Sequence, residues 1–234
     1  GVMERLPGDF RAIAVDVRGS GDSDKPASGH TVKQMSEDIY QLAMALNLKK
    51  FTMAGHSMGG AITMNFAIDH PELLKSMVMV NPAPPDGLML PAEAKQQFMA
   101  ILKSKNREGI AQMTRMMAFA PAAQVDDAIM SELVDAAIKA SHAFLDQAMA
   151  DMENLKLGDR LSKIDLPALM IHGDRDAAVA LTDAVNTFQR ICGCSLQVFY
   201  GCGHFPQLEA QEDFTRLLIS FAQNPRRRQE VPQQ

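Results

Sequence analysis

Residues Gly55-His56-Ser57-Met58-Gly59-Gly60 place a serine between glycines in a G-x-S-x-G pattern. The apolar run Phe51-Thr52-Met53-Ala54 precedes it, and Ala61-Ile62-Thr63-Met64-Asn65-Phe66-Ala67, of helical composition, follows. That is the strand, sharp turn and helix context in which such a serine projects its Oγ as a nucleophile. Gly55 and Gly59 are expected to flank Ser57 where a Cβ would crowd the turn. The chemistry on offer is attack on an acyl carbon. A neutral hydroxyl attacks poorly, so a base is needed, usually an imidazole oriented by an acid.

Six histidines compete for that role. His56 adjoins the serine, and adjacent residues on a tight turn point apart. His30 and His70 fall in loops, His142 in a helical region, and His172 at the end of a strand-like run. His204 lies between Gly203 and Phe205, just past a late strand, where sites on open α/β sheets are built. It is the expected base. For the acid, residues 168–172 read as a strand ending in His172-Gly173-Asp174-Arg175-Asp176. Asp174 suits capping the turn. Asp176 has two more residues of reach and is favoured over Asp174. The chain order Ser57, Asp176, His204 is the order that a serine elbow on an α/β sheet uses.

The elements that must position these residues alternate. Residues 10–16 read as a strand, and Thr31 caps a helix with Gln34 at capping-box spacing. Along that helix Met35, Ile39, Leu42 and Leu46 form one apolar face. Strands follow at 51–54 and at 76–80, the latter stopped by Asn81-Pro82, then at 168–172 and 195–200, with helices near 181–191 and 207–222. This rhythm predicts a doubly wound, mostly parallel α/β sheet. Residues 86–160 interrupt it with helical patterns at 92–102, 109–119, 126–139 and 144–154. The expected organisation is therefore a core of residues 1–85 and 161–223, a helical cap at 86–160, and a disordered tail at 224–234. Methionines concentrate in the cap, and an unbranched thioether suits a deformable apolar wall. Met116, Met117, Met149 and Phe205 are the expected pocket residues.

Apolar residues make up 47% of the chain and charged residues 22%, enough to bury a core. The net charge of −5 argues against a nucleic-acid partner, and no apolar run is long enough to span a bilayer. Cys192, Cys194 and Cys202 are an odd set that points to free thiols and a reducing, cytoplasmic compartment. A zinc reading with His204 fails on reach. An extended strand would hold Cys194 and Cys202 roughly 26 Å apart. No metal is expected.

The stretches Asp16-Val17-Arg18-Gly19-Ser20-Gly21-Asp22-Ser23, Gly55 to Gly60, Gly173-Asp174-Arg175-Asp176, and Gly203-His204 followed by Glu209 resemble the α/β-hydrolase fold. The similarity is to its small, lidded esterase and lipase-like serine hydrolases. The resemblance independently implies Asp176 as the acid and makes residues 16–23 a shaping loop. It implies a cofactor-free enzyme acting on a small-molecule ester, lactone or thioester with an apolar acyl group. Carbon–carbon bond hydrolysis and perhydrolysis are the alternatives within the fold, and a non-catalytic ligand-binding protein is the alternative outside it. It further implies an oxyanion site with one donor from the Met58 N–H. The second donor belongs to a loop that this sequence lacks. The expectation is that the first strands are absent and that the chain is N-terminally incomplete. One absent strand would fall between residues 10–16 and 51–54, leaving a central gap.

Overall fold

Four strands, β1 (Phe51–His56), β2 (Leu74–Val80), β3 (Ala168–Gly173) and β4 (Cys194–Phe199), pair in that order, and every pairing is parallel. The computed structural model describes residues 1–227. Parallel neighbours need crossovers, which helices supply. These are α1 (Val32–Ala45) before β1, α2 (Met58–Asp69) between β1 and β2, and α3 (Ala92–Ser104), α4 (Arg107–Ala118), α5 (Asp127–Lys139) and α6 (His142–Glu153) between β2 and β3. Then come α7 (Leu181–Gln189), α8 (Pro206–Glu209) and α9 (Gln211–Gln223).

Side chains alternate across the central strands and fill both faces. Met77, Met79, Ala168 and Met170 pack with α1, α2 and α7 on one face. Val78, Val80, Leu169 and Ile171 meet Phe214 and its neighbours on α9 across the other. Residues 60–67 of α2 are all buried, which explains why its sequence is apolar all round rather than striped. The helices between β2 and β3 carry their own core of Ile110, Phe119, Met130 and Val134. The starts of α4, α5 and α6 are set by side-chain caps. Asn106 accepts from the Gly109 N–H at 2.8 Å, Asp126 from Ala128 at 2.7 Å and Ser141 from Phe144 at 3.1 Å.

Three local expectations need correction. Residues 10–16 form no strand: the segment has no ladder partner among the described residues, with Ile13 43% and Val15 42% exposed. An open groove of about 600 Å³ separates it from β1, where the sequence reading expects an intervening strand. Every residue of β1 is therefore half-buried or exposed, whereas β3 is buried throughout. On α1, Leu46 lies beyond the helix end and is 37% exposed, and Ala43 is buried in its place. The last helix is two, because Ala210 (φ −133°, ψ 50°) breaks it. Of the tail expected at 224–234, residues 228–234 lie outside the described residues, and Arg227 reaches Asp165 with its guanidinium. Among the described residues no helix is long and apolar enough to cross a membrane.

Candidate active site

Ser57 sits at the junction of β1 and α2 with φ 54° and ψ −119°, a backbone that a non-glycine residue adopts only when its surroundings enforce it. Two contacts enforce it here. The Ser57 N–H donates to the Val80 carbonyl at 2.9 Å, and the Ser57 carbonyl accepts from Ala83 at 2.9 Å. Close packing does the rest, at one of the two glycines expected and at a third. A Cβ on Gly55 would lie 2.0 Å from the Gly59 carbonyl oxygen, and one on Gly60 would lie 2.6 Å from the Pro82 Cβ. A Cβ on Gly59 would meet nothing. Gly55 and Gly60 are thus the constrained positions, and Gly59 is not. The Met58 N–H opens α2, where the first amides of a helix have no intrahelical acceptor.

Asp176 follows β3 and is fully buried at its side chain. Its Oδ2 accepts from His204 Nδ1 at 2.7 Å and from Asn81 Nδ2 at 2.6 Å. Its Oδ1 accepts from the Ala178 and Val179 N–H groups at 2.7 and 3.0 Å. Burial pushes this carboxyl upward, but the donors from His204, Val179 and Asn81 outweigh it and hold it below the usual carboxylate range. Buried His172 lies 3.8 Å from the same oxygen, and burial lowers its pKa, so it stays a neutral neighbour. Asp174 instead accepts from the Gly201 N–H at 2.7 Å, the turn role read for it in the sequence.

His204 is held at three atoms. Its N–H donates to the Ala118 carbonyl at 2.7 Å, its carbonyl accepts from His56 Nε2 at 2.7 Å, and its Nδ1 meets Asp176. Glu209 fastens the flanking loop. Its Oε1 accepts from Gly203 at 2.9 Å and Phe205 at 3.3 Å, and its Oε2 accepts from Ala120 at 2.9 Å. With Nδ1 engaged, Nε2 is the ring nitrogen left to exchange a proton. Ser57 and His204 share one cavity of about 260 Å³. Among the described residues no hydrogen bond joins them, as is common for sites of this kind before substrate draws them together.

The cavity wall comprises Leu88, Leu90, Phe98, Leu102, Met113, Met117, Met149, Met152 and Phe205, closed by Ala83, Ala118, Ala178 and Val179. Thr114 is its only further polar residue, and no lysine, arginine, aspartate or glutamate lines it among the described residues. Met116 is not in the wall. It is 71% exposed, because Met113 and Met117, four apart, share the inward face of α4 and Met116 falls off it. Cys202 is buried below the site, and burial, with Glu209 and Asp174 nearby, pushes its thiol up to about 11. It is therefore an unreactive thiol at neutral pH.

Asn81 is the site residue the sequence did not disclose. It read only as a strand stop before Pro82, yet it is fully buried at φ 42° with its amide on Asp176. A signal was present, since asparagine is among the few side chains that accept a left-handed backbone. His56, set aside as a base in the sequence, donates through Nε2 to the His204 carbonyl, and its ring lies against that of His204.

A family model described as the alpha/beta hydrolase fold matches residues 1–211. A 2-hydroxy-6-oxononadienedioate/2-hydroxy-6-oxononatrienedioate hydrolase of a Pseudomonas species is 25% identical over 181 residues, 75% of this chain and 64% of its own length. The monoacylglycerol lipase abhd6-A of Xenopus laevis is 25% identical, over 94% of this chain and 69% of its own. Among solved structures, an esterase from Exiguobacterium antarcticum superposes with a TM-score of 0.79 at 25% identity, covering 89% of this chain and 80% of that one. The chain thus spans about two thirds of the length of these sequence relatives.

Proposed function

Because the chain belongs to the alpha/beta hydrolase fold family, we propose that it is a serine hydrolase acting on a neutral carboxylic ester, lactone or thioester with an apolar acyl group. Ser57 Oγ attacks the carbonyl carbon while His204 Nε2 takes its proton, and the developing oxyanion accepts a hydrogen bond from the Met58 N–H. The carbonyl re-forms, the C–O or C–S bond breaks, and the alcohol or thiol leaves with the proton from His204. Water then attacks the acyl-enzyme, losing a proton to His204, and the acid departs as His204 returns that proton to Ser57 Oγ. Asp176 holds His204 in the Nδ1–H tautomer and offsets the charge of the imidazolium. No step calls on a metal or cofactor.

The observation that carries this reading is that Ser57 and the Asp176-bound His204 line one cavity, in which no wall residue among the described ones is ionised. The same feature weighs against the dienedioates named for the Pseudomonas relative. Their carboxylates would lose water without gaining a cation, which costs several kcal/mol per ion. A carbon–carbon bond hydrolase is therefore the second reading. A non-catalytic binding protein is the third. Ser57→Ala is expected to abolish turnover of p-nitrophenyl butyrate, by at least about 10⁴-fold in kcat, and to abolish labelling by a fluorophosphonate. Full activity in that variant would refute the mechanism.

A further inference from the structure

The candidate base and the candidate nucleophile come from opposite ends of the sequence, 147 residues apart by subtraction of their numbers, 204 and 57. Their alignment therefore depends on contacts between the segments that carry them. His204 is fastened to the end of α4 through its N–H on Ala118 and to the loop after β3 through Nδ1 on Asp176. Neither bond refers the base to β1, the strand that delivers Ser57. One bond does. His56, the last residue of β1, sets its Nε2 2.7 Å from the His204 carbonyl oxygen. A carbonyl only accepts, so this nitrogen carries the proton and the tautomer is fixed.

We infer that His56 is a positioning residue, which sets the reach between Ser57 Oγ and His204 Nε2 by tying the main chain of the base to the strand of the nucleophile. The inference rests on the reading of His204 as the base. The ring of His56 does more than lend a donor. Its centroid lies 4.5 Å from that of His204 and 4.8 Å from that of Phe205, itself part of the cavity wall. A flat side chain thus supports both the base and the wall beside it. Burial, with His204 nearby, pushes the His56 pKa down to about 3. Two imidazolium ions therefore never face each other when His204 takes up the serine proton. Lysine or arginine would supply a donor with a charge that opposes that transfer, and phenylalanine would supply the flat ring without the donor.

The test separates donor from ring. His56→Phe keeps the stack and loses the hydrogen bond, and His56→Gln places an amide N–H near the position of Nε2. With p-nitrophenyl butyrate, His56→Phe is expected to lower kcat about 10- to 100-fold, the scale of a misplacement near 1 Å. KM should stay within about threefold, because the bond touches no substrate. The fluorophosphonate labelling rate should fall with kcat, and His56→Gln should recover kcat to within about fivefold of the parent. A His56→Phe enzyme with kcat within twofold of the parent overturns the inference. So does a His56→Gln enzyme as impaired as His56→Phe with the same loss in melting temperature, which would make the residue packing only. Should His56→Phe not fold, His56→Asn replaces it. Its amide is too short to reach, and kcat equal to that of His56→Gln overturns the inference. These outcomes are independent of Ser57→Ala, whose retained activity would instead remove His204 from its role.

Discussion

Asn81 and Asp176 together show how a buried carboxylate is kept ionised. Four donors reach its two oxygens, and one of them belongs to a residue held at φ 42°. Asn81→Gly removes the amide while leaving a backbone that glycine adopts without strain. A hydrogen bond to a charged group contributes about 1.5–3 kcal/mol, so the variant is expected to lose stability on that order in urea denaturation. The pH dependence has a defined sign. The folded-state pKa of Asp176 lies below its ordinary value, so its contribution is present above an unfolded value of about 3.9 and is lost as pH falls through the folded value. Removing a donor raises the folded value toward the unfolded one and shrinks that contribution. The acid-unfolding midpoint of Asn81→Gly should therefore move to higher pH, read by circular dichroism. A midpoint at or below that of the parent would show that Asn81 does not stabilise the ion.

At the level of elements, the turn from β1 into α2 is held by exclusion as much as by bonding. The backbone of α2 passes so near Gly55 that an added Cβ would stand 2.0 Å from the Gly59 carbonyl oxygen and 2.5 Å from Thr63 Oγ1. The first is main chain, which cannot swing aside. Gly55→Ala is expected to cost at least about 3 kcal/mol or to prevent folding. Gly59→Ala, where the new methyl meets open space, should stay within about 1 kcal/mol of the parent. Thermal melts of the two variants check the contrast, and equal losses would contradict the packing described. The loop that carries His204 has a further fastening in one carboxylate. Glu209 on α8 binds amides of Ala120, Gly203 and Phe205, so the end of α4 and the loop bearing His204 share one anchor. The wall of the cavity and His204 therefore sit on a common support.

Across the whole molecule, the sheet is unequal from edge to centre. β2 and β3 are covered by helices on both faces, whereas β1 borders the groove that separates it from residues 11–17. Among the described residues, amides of β1 that point away from β2 have no strand to donate to. Hydrogen exchange should find them at least about tenfold faster than the amides of β2 and β3. Uniform protection over the sheet would mean that the groove is closed in solution. The cavity has the opposite character. It is built where the helices inserted between β2 and β3 come over the carboxyl ends of the strands, and its lining combines residues of α3, α4 and α6 and of the segment before α3 with the loops that carry Ser57, Asp176 and His204.

The sequence by itself determined the parallel α/β rhythm, the elbow around Ser57, the choice of Asp176 over Asp174 as the partner of His204, and the helical insertion. Each of these is encoded locally, in a period of two or 3.6, in a glycine beside a turn, or in a cap such as Thr31 accepting from Gln34 at 3.1 Å. Tertiary structure decided what depends on neighbours distant in the chain. Residues 10–16 have the composition of a strand but no ladder partner, and a strand exists only as a paired element. Met116 and Met117 are indistinguishable by type, and only the rotation of α4 over the site puts one in the wall and the other in solvent. Asn81 and His56 looked like a strand stop and a bystander. Their hydrogen bonds to Asp176 and to the His204 carbonyl span 95 and 148 residues, a separation that no local pattern records.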